Sequence, residues 1–290
     1  ISIKIVMKII WVLENIRKRK DFYSRLHTLL LLCSVKLWKK FYPDDYCVLY
    51  CDNLTKEFLV DLKVECFWNE IILLENKRSI DKKTFWAASK LEVLSLQKEP
   101  VIILDNDLLV YFPIKQFFDD NKVYFHHYED GKGYYPGTLD KYVRQLSYKA
   151  RWQTESVNVS ILNLPDYKFT NEYANISLKM MEEFSSMKVP HSQYLIFAEQ
   201  LLLKHLLDKN GIPHKSLIST YWNCKQWEWG ENNNKGIWTI NESGRYIKHY
   251  GPEKGWLVDN KIGFDYNKEI KHLENCLNFP ILDLSKIKRL

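Results

Sequence analysis

The run Val101-Ile102-Ile103-Leu104-Asp105-Asn106-Asp107 sets two carboxylates one residue apart directly after four apolar β-formers. In an open parallel sheet, ligands gather at the carboxyl ends of the strands. Paired oxygen donors there suit magnesium or manganese, which keep waters and take substrate phosphates as further ligands. A plain strand-end turn, in which Asp and Asn satisfy backbone amides, would use the same residue types. Much later in the chain, His249 offers a nitrogen ligand for the same metal, and Lys254 a cation that neutralises a leaving diphosphate. Taken alone, a histidine in a tryptophan-rich segment is more often structural. The upstream carboxylates tip that balance toward function.

Other groups are less specific. His126 and His127 follow the apolar residues 123–125, and strand alternation would send only one of them toward a site. They read better as core or surface histidines. Trp222, Trp227 and Trp229 have faces suited to the C–H surfaces of sugar rings, with core packing at least as strong an alternative for any one of them. Asp119-Asp120 reads as a solvated turn.

Elements that would position these residues alternate between strand-length apolar runs and helical stripes over the first 130 residues, the pattern of a parallel sheet with crossover helices. Residues 8–13 form the first strand. Asp21 caps a helix whose stripe is Phe22, Leu26, Leu29, Leu30, Cys33 and Leu37, and Pro43 stops it. A solvated amphipathic core helix is favoured there over one lying on anionic lipid. Residues 47–51 form the second strand, ending at Asp52-Asn53, and a helix and the apolar segment 65–74 follow. Residues 82–97 carry a helical stripe (Phe85, Ala88, Leu91, Leu94, Ser95) that delivers the chain to the strand 100–104. Beyond lie a Tyr/Gly turn region at 128–137, an apolar segment at 157–164, helices near 171–187 and 193–207, and Gly211 and Pro213 as stop signals.

In order along the chain, these motifs resemble GT-A glycosyltransferases, especially family 8 and related nucleotide-sugar enzymes. The resemblance rests on a helix bearing Lys90 before the strand, the Asp105-Asn106-Asp107 group, and Pro113 to Phe118 after it. It also rests on Asn158-Val159-Ser160-Ile161-Leu162-Asn163, which is similar to a family strand usually written Asn-Ser-Gly, although the glycine is absent. Glu199-Gln200 looks like the acidic-Gln pair on a helix. His249-Tyr250-Gly251-Pro252-Glu253-Lys254-Gly255-Trp256 is similar to the late HxxGxxKPW element, one residue shorter and with Gly255 for proline.

The resemblance covers roughly residues 8–260. It implies an α/β GT-A (nucleotide-diphospho-sugar transferase) fold with a mostly parallel central sheet flanked by helices. It implies a single domain, with a nucleotide-sugar-binding half to about residue 130 and an acceptor-facing half with a C-terminal tail over 131–290. It also implies a metal site of Asp105, Asp107 and His249, donor contacts from Lys90, Asp105 and Lys254, and catalytic roles for Glu199 and Gln200. Mn2+ or Mg2+ and a nucleotide-sugar donor, preferentially a UDP-sugar, are the implied cofactors.

Composition sets limits. Ten glycines and nine prolines in 290 residues fall below the usual levels of about 7% and 5%, and 46% of residues are apolar, so collagen-like and disordered classes are excluded. Gly131, Gly133 and Gly137 fit neither P-loop nor Rossmann spacing. Forty-two basic against 36 acidic residues give a net +6, which favours anionic partners. The clusters Arg17-Lys18-Arg19-Lys20 and Lys286, Lys288, Arg289 come with no nucleic-acid motif, so nucleic acid is not an expected partner.

Six cysteines without zinc spacing read as reduced and mostly buried. The apolar run 29–33 falls far short of the ~18 residues that suggest a membrane span. Residues 1–13, interrupted by Lys4 and Lys8, read as a buried strand rather than a signal peptide. The opening at Ile1 points to a trimmed or misassigned start, with Met7 an alternative initiator.

The expected activity is metal-dependent transfer of a sugar from a nucleotide-sugar donor to a glycan, lipid-linked or other hydroxyl acceptor, with retention, in cell-surface polysaccharide synthesis. The expected setting is the cytoplasm, with peripheral contact at the inner membrane face open. A haloacid-dehalogenase-like phosphatase would use the same Asp105 and Asp107, but Leu108-Leu109 replaces its usual threonine. A non-catalytic carbohydrate-binding module would leave the two carboxylates unexplained.

Overall fold

Strand β1 (Lys8–Leu13) pairs in parallel with β2 (Tyr46–Cys51), Ile9 facing Cys47 and Leu13 facing Cys51. Strand β2 pairs in parallel with β3 (Glu70–Leu73). The central residues of β1 and β2 are buried, which is why both read as nearly continuous apolar runs. The computed structural model describes residues 6–15, 24–75, 78–119, 121–232, 235–239, 245–251 and 265–277. The chain divides into two units: one holds Ile1–Leu73, Leu104–Phe117 and Ser243–Leu290, the other Leu74–Ile103 and Phe118–Glu242.

In the first unit, helix α1 (Arg25–Phe41) buries the expected residues Leu26, Leu29, Leu30, Cys33 and Leu37, and also Leu31, Leu32 and Val35. It is therefore enclosed on most of its circumference, as a core helix. Its cap is Ser24, whose hydroxyl accepts from the His27 amide, rather than Asp21. Asp21 and Phe22, like residues 17–20, lie outside the described residues. The helix packs on β5 (Leu108–Val110) and on the late helix α7 (Tyr266–Leu277).

Helix α2 (Asn53–Asp61) starts from Asp52, whose carboxylate accepts from the Thr55 amide at 2.9 Å. Asp45, 3% exposed, ties three segments together. It accepts from the Met7 amide at 3.0 Å, from Trp38 Nε1 at 3.0 Å and from Lys115 Nζ at 2.7 Å.

In the second unit, helix α3 is shorter than its stripe, running only over Ala88–Ser95. Asp81 diverts the preceding residues into turns by accepting from the Lys83 amide at 3.1 Å and the Thr84 hydroxyl at 2.7 Å. Phe85 is nevertheless fully buried. Strand β4 (Val101–Leu104) is buried along its length, as four consecutive apolar residues require.

The apolar segment 157–164 is two strands, β8 (Glu155–Val157) and β9 (Ile161–Leu164). Between them the Asn158 side chain accepts from the Ser160 amide at 3.1 Å and turns the chain. Strand β9 runs antiparallel to β6 (Val123–Phe125), which pairs in parallel with β10 (His214–Ser216).

The parallel strands β1, β2 and β3 are neighbours in the first unit, and β10, β6, β9 and β4 follow one another in that order in the second. A four-stranded sheet in the order β12-β11-β7-β8 joins β7 (Tyr128–Asp130), β8, β11 (Thr220–Asn223) and β12 (Glu228–Glu231). Helix α4 spans Tyr167–Ser186 and is capped by Asp166. The helical run from 193 is α5 (Gln193–Ile196), a π-turn (Phe197–Leu201) and α6 (Leu202–Lys209), ending near Gly211 at φ +61°. Among the described residues no helix is long and apolar enough to cross a membrane.

Candidate active site

Strand β5 continues directly from Asp105-Asn106-Asp107 and is the partner of β13 (Ile247–His249) in an antiparallel ladder that sets His249 opposite Leu108. The ladder extends through Tyr250, whose amide donates to the Asp107 carbonyl at 3.1 Å, and through Tyr111, whose amide donates to the Tyr246 carbonyl at 2.8 Å. The Asp105 carbonyl accepts from the Leu108 amide at 3.1 Å, closing the turn between β4 and β5. The Asn106 side chain donates to the Val12 carbonyl at 2.8 Å, pinning that turn to the end of β1.

The result is a three-residue cluster. His249 Nε2 lies 3.6 Å from Asp107 Oδ1 and 4.0 Å from Asp105 Oδ2, and one ligand atom from each residue falls within 4.8 Å of the others. The Asp107 side chain is 9% exposed and the Asp105 side chain 33%, so the pair grades from buried to open.

Behind the cluster, β13 is anchored by Tyr250, fully buried, whose hydroxyl donates to Glu269 of α7, with Lys248 Nζ 3.2 Å from the same carboxylate. Gly251 leaves little room beside the imidazole: a Cβ there would stand 3.2 Å from His249 Cε1. Two carboxylates and an imidazole fit a divalent cation, the nitrogen favouring manganese over magnesium. Lys254, Gly255 and Trp256 lie outside the described residues.

Lys90, Glu199 and Gln200 belong to the second unit. Lys90 Nζ lies 3.2 Å from Glu199 Oε1 and donates to the Val159 carbonyl at 3.1 Å. This joins three of the sequence motifs: the helix before the DxD, the segment after Asn158 and the acidic-Gln pair. Glu199 and Gln200 sit in the π-turn, a local widening frequent at functional sites. Helix α4 holds that turn from behind, as Tyr173 donates to the Glu199 carbonyl at 3.1 Å and Ser177 to the Ala198 carbonyl at 2.6 Å. Gln200 Oε1 is buried with no hydrogen-bond partner among the described residues, which calls for a ligand or water.

A second polar cluster was not legible in the sequence. His126 and His127 lie between β6 and β7, where strand alternation no longer applies; both are buried and their Nδ1 atoms stand 2.6 Å apart. His127 Nε2 is 3.4 Å from Glu129 Oε1. Glu129 also accepts from Asn158 Nδ2 at 2.9 Å and from the Tyr135 hydroxyl at 3.0 Å. Burial alone would raise the Glu129 pKa, but the bonds from His127, Asn158 and Tyr135 outweigh it and hold the carboxyl below its usual value. Only Asn158 had been singled out for this region by motif. Asp119 behaves as the solvated turn expected of it, bonded to Asn121 and Lys122; Asp120 lies outside the described residues.

All six cysteines are free thiols; Cys33, Cys47, Cys51 and Cys224 are buried, Cys276 is half-buried and Cys66 is exposed.

The fold is that of known sugar transferases. A crystal structure of galactosyltransferase LgtC with donor and acceptor sugar analogs superposes with a TM-score of 0.51 at 13% identity, covering 97% of this chain and 100% of that one. An active-site mutant of LgtC gives 0.50 at 13% identity, covering 93% and 95%. The glycosyltransferase GlyE of Streptococcus pneumoniae TIGR4 gives 0.41 at 12% identity, over 74% of this chain and 45% of that one. The first two likenesses establish the GT-A architecture. No curated protein matches the sequence. A family model does, over residues 5–254, and the chain belongs to that family, the family of unknown function DUF6734.

Proposed function

We propose that the protein is a metal-dependent glycosyltransferase that moves a sugar from a nucleotide-sugar donor, preferentially a UDP-sugar, to a glycan, lipid-linked or other hydroxyl acceptor. The observation that carries this reading is the convergence of Asp105, Asp107 and His249 at the end of β4 in a GT-A fold. These three residues would hold Mn2+ or Mg2+. Bound there, the cation supplies Lewis-acid stabilisation of the departing diphosphate. A phosphatase using the same two aspartates gives His249 no role, and so does a binding module.

The chain's own residues divide the remaining work. Asp107, the more enclosed carboxylate, serves as the more direct ligand, and Asp105, more open, also reaches the donor ribose. Lys254 neutralises the leaving diphosphate, and Lys90 meets the donor phosphates while bracing Glu199. Glu199 and Gln200 orient donor sugar and acceptor, the unpartnered Gln200 Oε1 facing the need for a polar ligand.

Glu199 is 4% exposed and engaged by Lys90, which suits a positioning carboxylate better than a base that must collect a proton from the acceptor. We therefore favour retention, with the departing diphosphate oxygen taking the proton. Residues to about 130, joined by His249 and Lys254, then serve the donor and the other later ones mainly the acceptor, within a single functional domain. The free thiols suit the reducing cytoplasm as the setting, and cell-surface polysaccharide is the destination we propose for the product. Peripheral contact with anionic lipid is tested by cosedimentation with phosphatidylglycerol vesicles.

The test is incubation of the purified protein with individual nucleotide sugars and Mn2+, scoring nucleoside diphosphate release. Release that needs Mn2+ and is lost in Asp107→Asn supports the proposal; no release from any donor overturns it. Proton NMR of the first-formed product decides stereochemistry, and an anomeric configuration opposite to the donor's would refute retention.

A further inference from the structure

The hairpin β11–β12 presents tryptophan where a folded domain ordinarily hides it. Trp222 and Trp229 are cross-strand partners and share one face, with Trp227 at the turn between them. The rings form a contiguous group: Trp222 meets Trp227 edge-on with centroids 5.1 Å apart, and Trp229 at 6.5 Å with planes inclined by 31°. Trp227 is 56% exposed and Trp229 45%, so core packing, an alternative at least as strong at the level of sequence, does not describe them.

Trp227 also holds φ +59°, a left-handed conformation that bulky residues seldom adopt. Its amide donates to the Asn223 carbonyl at 2.7 Å, and the Asn223 carboxamide accepts from the amides of Lys225 and Gln226. The turn is thus built to hold that indole outward. From the other face Tyr221 covers Gly230, where a Cβ would come within 2.5 Å of the ring. Trp229 meets buried His127 at 4.9 Å between centroids, with the rings inclined by 61°.

We infer that Trp227 and Trp229, supported by Trp222, form a stacking platform for the acceptor, a neutral oligosaccharide. Flat indoles match the apolar C–H faces of pyranose rings. The hydroxyls of such a ligand need hydrogen-bonding groups of both kinds beside those faces, and exposed Lys225 and Gln226 at the turn, with exposed Glu231 on the face of Trp222 and Trp229, supply donors and acceptors. Glu228 and Glu231 on the same hairpin repel anionic lipid and phosphorylated ligands, which separates this surface from the donor chemistry. The inference rests on the transferase reading only for calling the oligosaccharide an acceptor; binding itself can be measured without any donor.

The test titrates the protein, without nucleotide, with neutral gluco-, galacto- and N-acetylhexosamine-containing oligosaccharides, and separately with phosphatidylcholine and phosphatidylglycerol vesicles. Tryptophan fluorescence and its protection from acrylamide quenching are followed. Binding to at least one oligosaccharide series is expected, with protection of the indoles. Trp227→Ala and Trp229→Ala should each weaken it roughly 10-fold, the scale of one lost stacking contact. Mn2+-dependent release of nucleoside diphosphate from donor alone should be unchanged in both.

Lack of any saccharide binding overturns the inference. So does wild-type binding without indole protection, undiminished binding in the double variant, or binding to vesicles instead. Saccharide binding that depends on the tryptophans in a protein that turns over no nucleotide sugar would sink the transferase reading and leave the platform standing.

Discussion

His249 Nε2 stands 3.6 Å from Asp107 Oδ1 because the β5–β13 ladder sets His249 opposite Leu108, one residue past the aspartate. A one-residue slip of that ladder would send the imidazole to the opposite face. The candidate metal site is thus a property of strand register as much as of its three side chains.

Replacing His249 by Ala should weaken Mn2+ binding by at least roughly 10-fold, and Asp107→Asn by more, with thermal unfolding in the absence of metal little changed. Mn2+ titration followed by electron paramagnetic resonance reads this directly. Equal affinity in all three proteins would remove these residues from the metal site.

Asp45 gathers Met7, Trp38 and Lys115 at 3% exposure. Asp45→Ala removes the carboxylate that pairs with the Lys115 ammonium, 17% exposed, and that accepts from the Met7 amide and Trp38 Nε1, and should cost about 3 kcal/mol of stability. Urea unfolding checks the value; a loss under about 0.5 kcal/mol, the range of ordinary surface changes, would contradict the role assigned to it.

Glu129 titrates below its ordinary value of 4.5 in the folded protein, burial being outweighed by the bonds from His127, Asn158 and Tyr135. A depressed folded pKa contributes stability that is fully present above the unfolded value and is lost as pH falls through the folded one. The melting temperature should therefore drop with acidification below about pH 4.5, and Glu129→Gln should flatten that limb. Superimposable acid limbs would count against a shifted Glu129.

Gly236 lies against the backbone of Ile218 and Ser219, where a Cβ would come within 2.1 Å of Ile218 C and of Ser219 N. Backbone cannot yield as a side-chain tip can, so Gly236→Ala should destabilise by about 1–3 kcal/mol, the usual cost of overpacking. A melting temperature equal to that of the unsubstituted protein would show that the segment has room.

Burial pushes the Cys47 and Cys51 thiols up to about 12, and those of Cys33 and Cys224 upward as well. A disulfide reagent near neutral pH should label exposed Cys66 first in the native protein, and these four only on unfolding. Rapid native labelling of Cys47 or Cys51 would show that the β2 face is open.

Strands β1, β2 and β4 were legible in the sequence because burial on both faces demands unbroken apolar runs. So was the position of Asp105 and Asp107, which follows from chain continuity past the end of β4. The stripe of α1 was equally plain, but its start depended on which of two capping side chains the chain uses. The end of the 82–97 stripe that Asp81 unwinds was hidden, because a side-chain bond to nearby amides competes with the helix without disturbing apolar periodicity.

Tertiary structure alone decided three things. It joined His249 to the carboxylates through an antiparallel register that no local pattern encodes. It placed Lys90 against Glu199, so that motifs far apart in sequence share one ion pair. It turned Trp227 and Trp229 outward, although the same residue type fills the core at Trp11 and Trp38. Hydrophobicity fixes how strongly a side chain prefers burial, but which partners are present to cover it is settled only when distant segments meet.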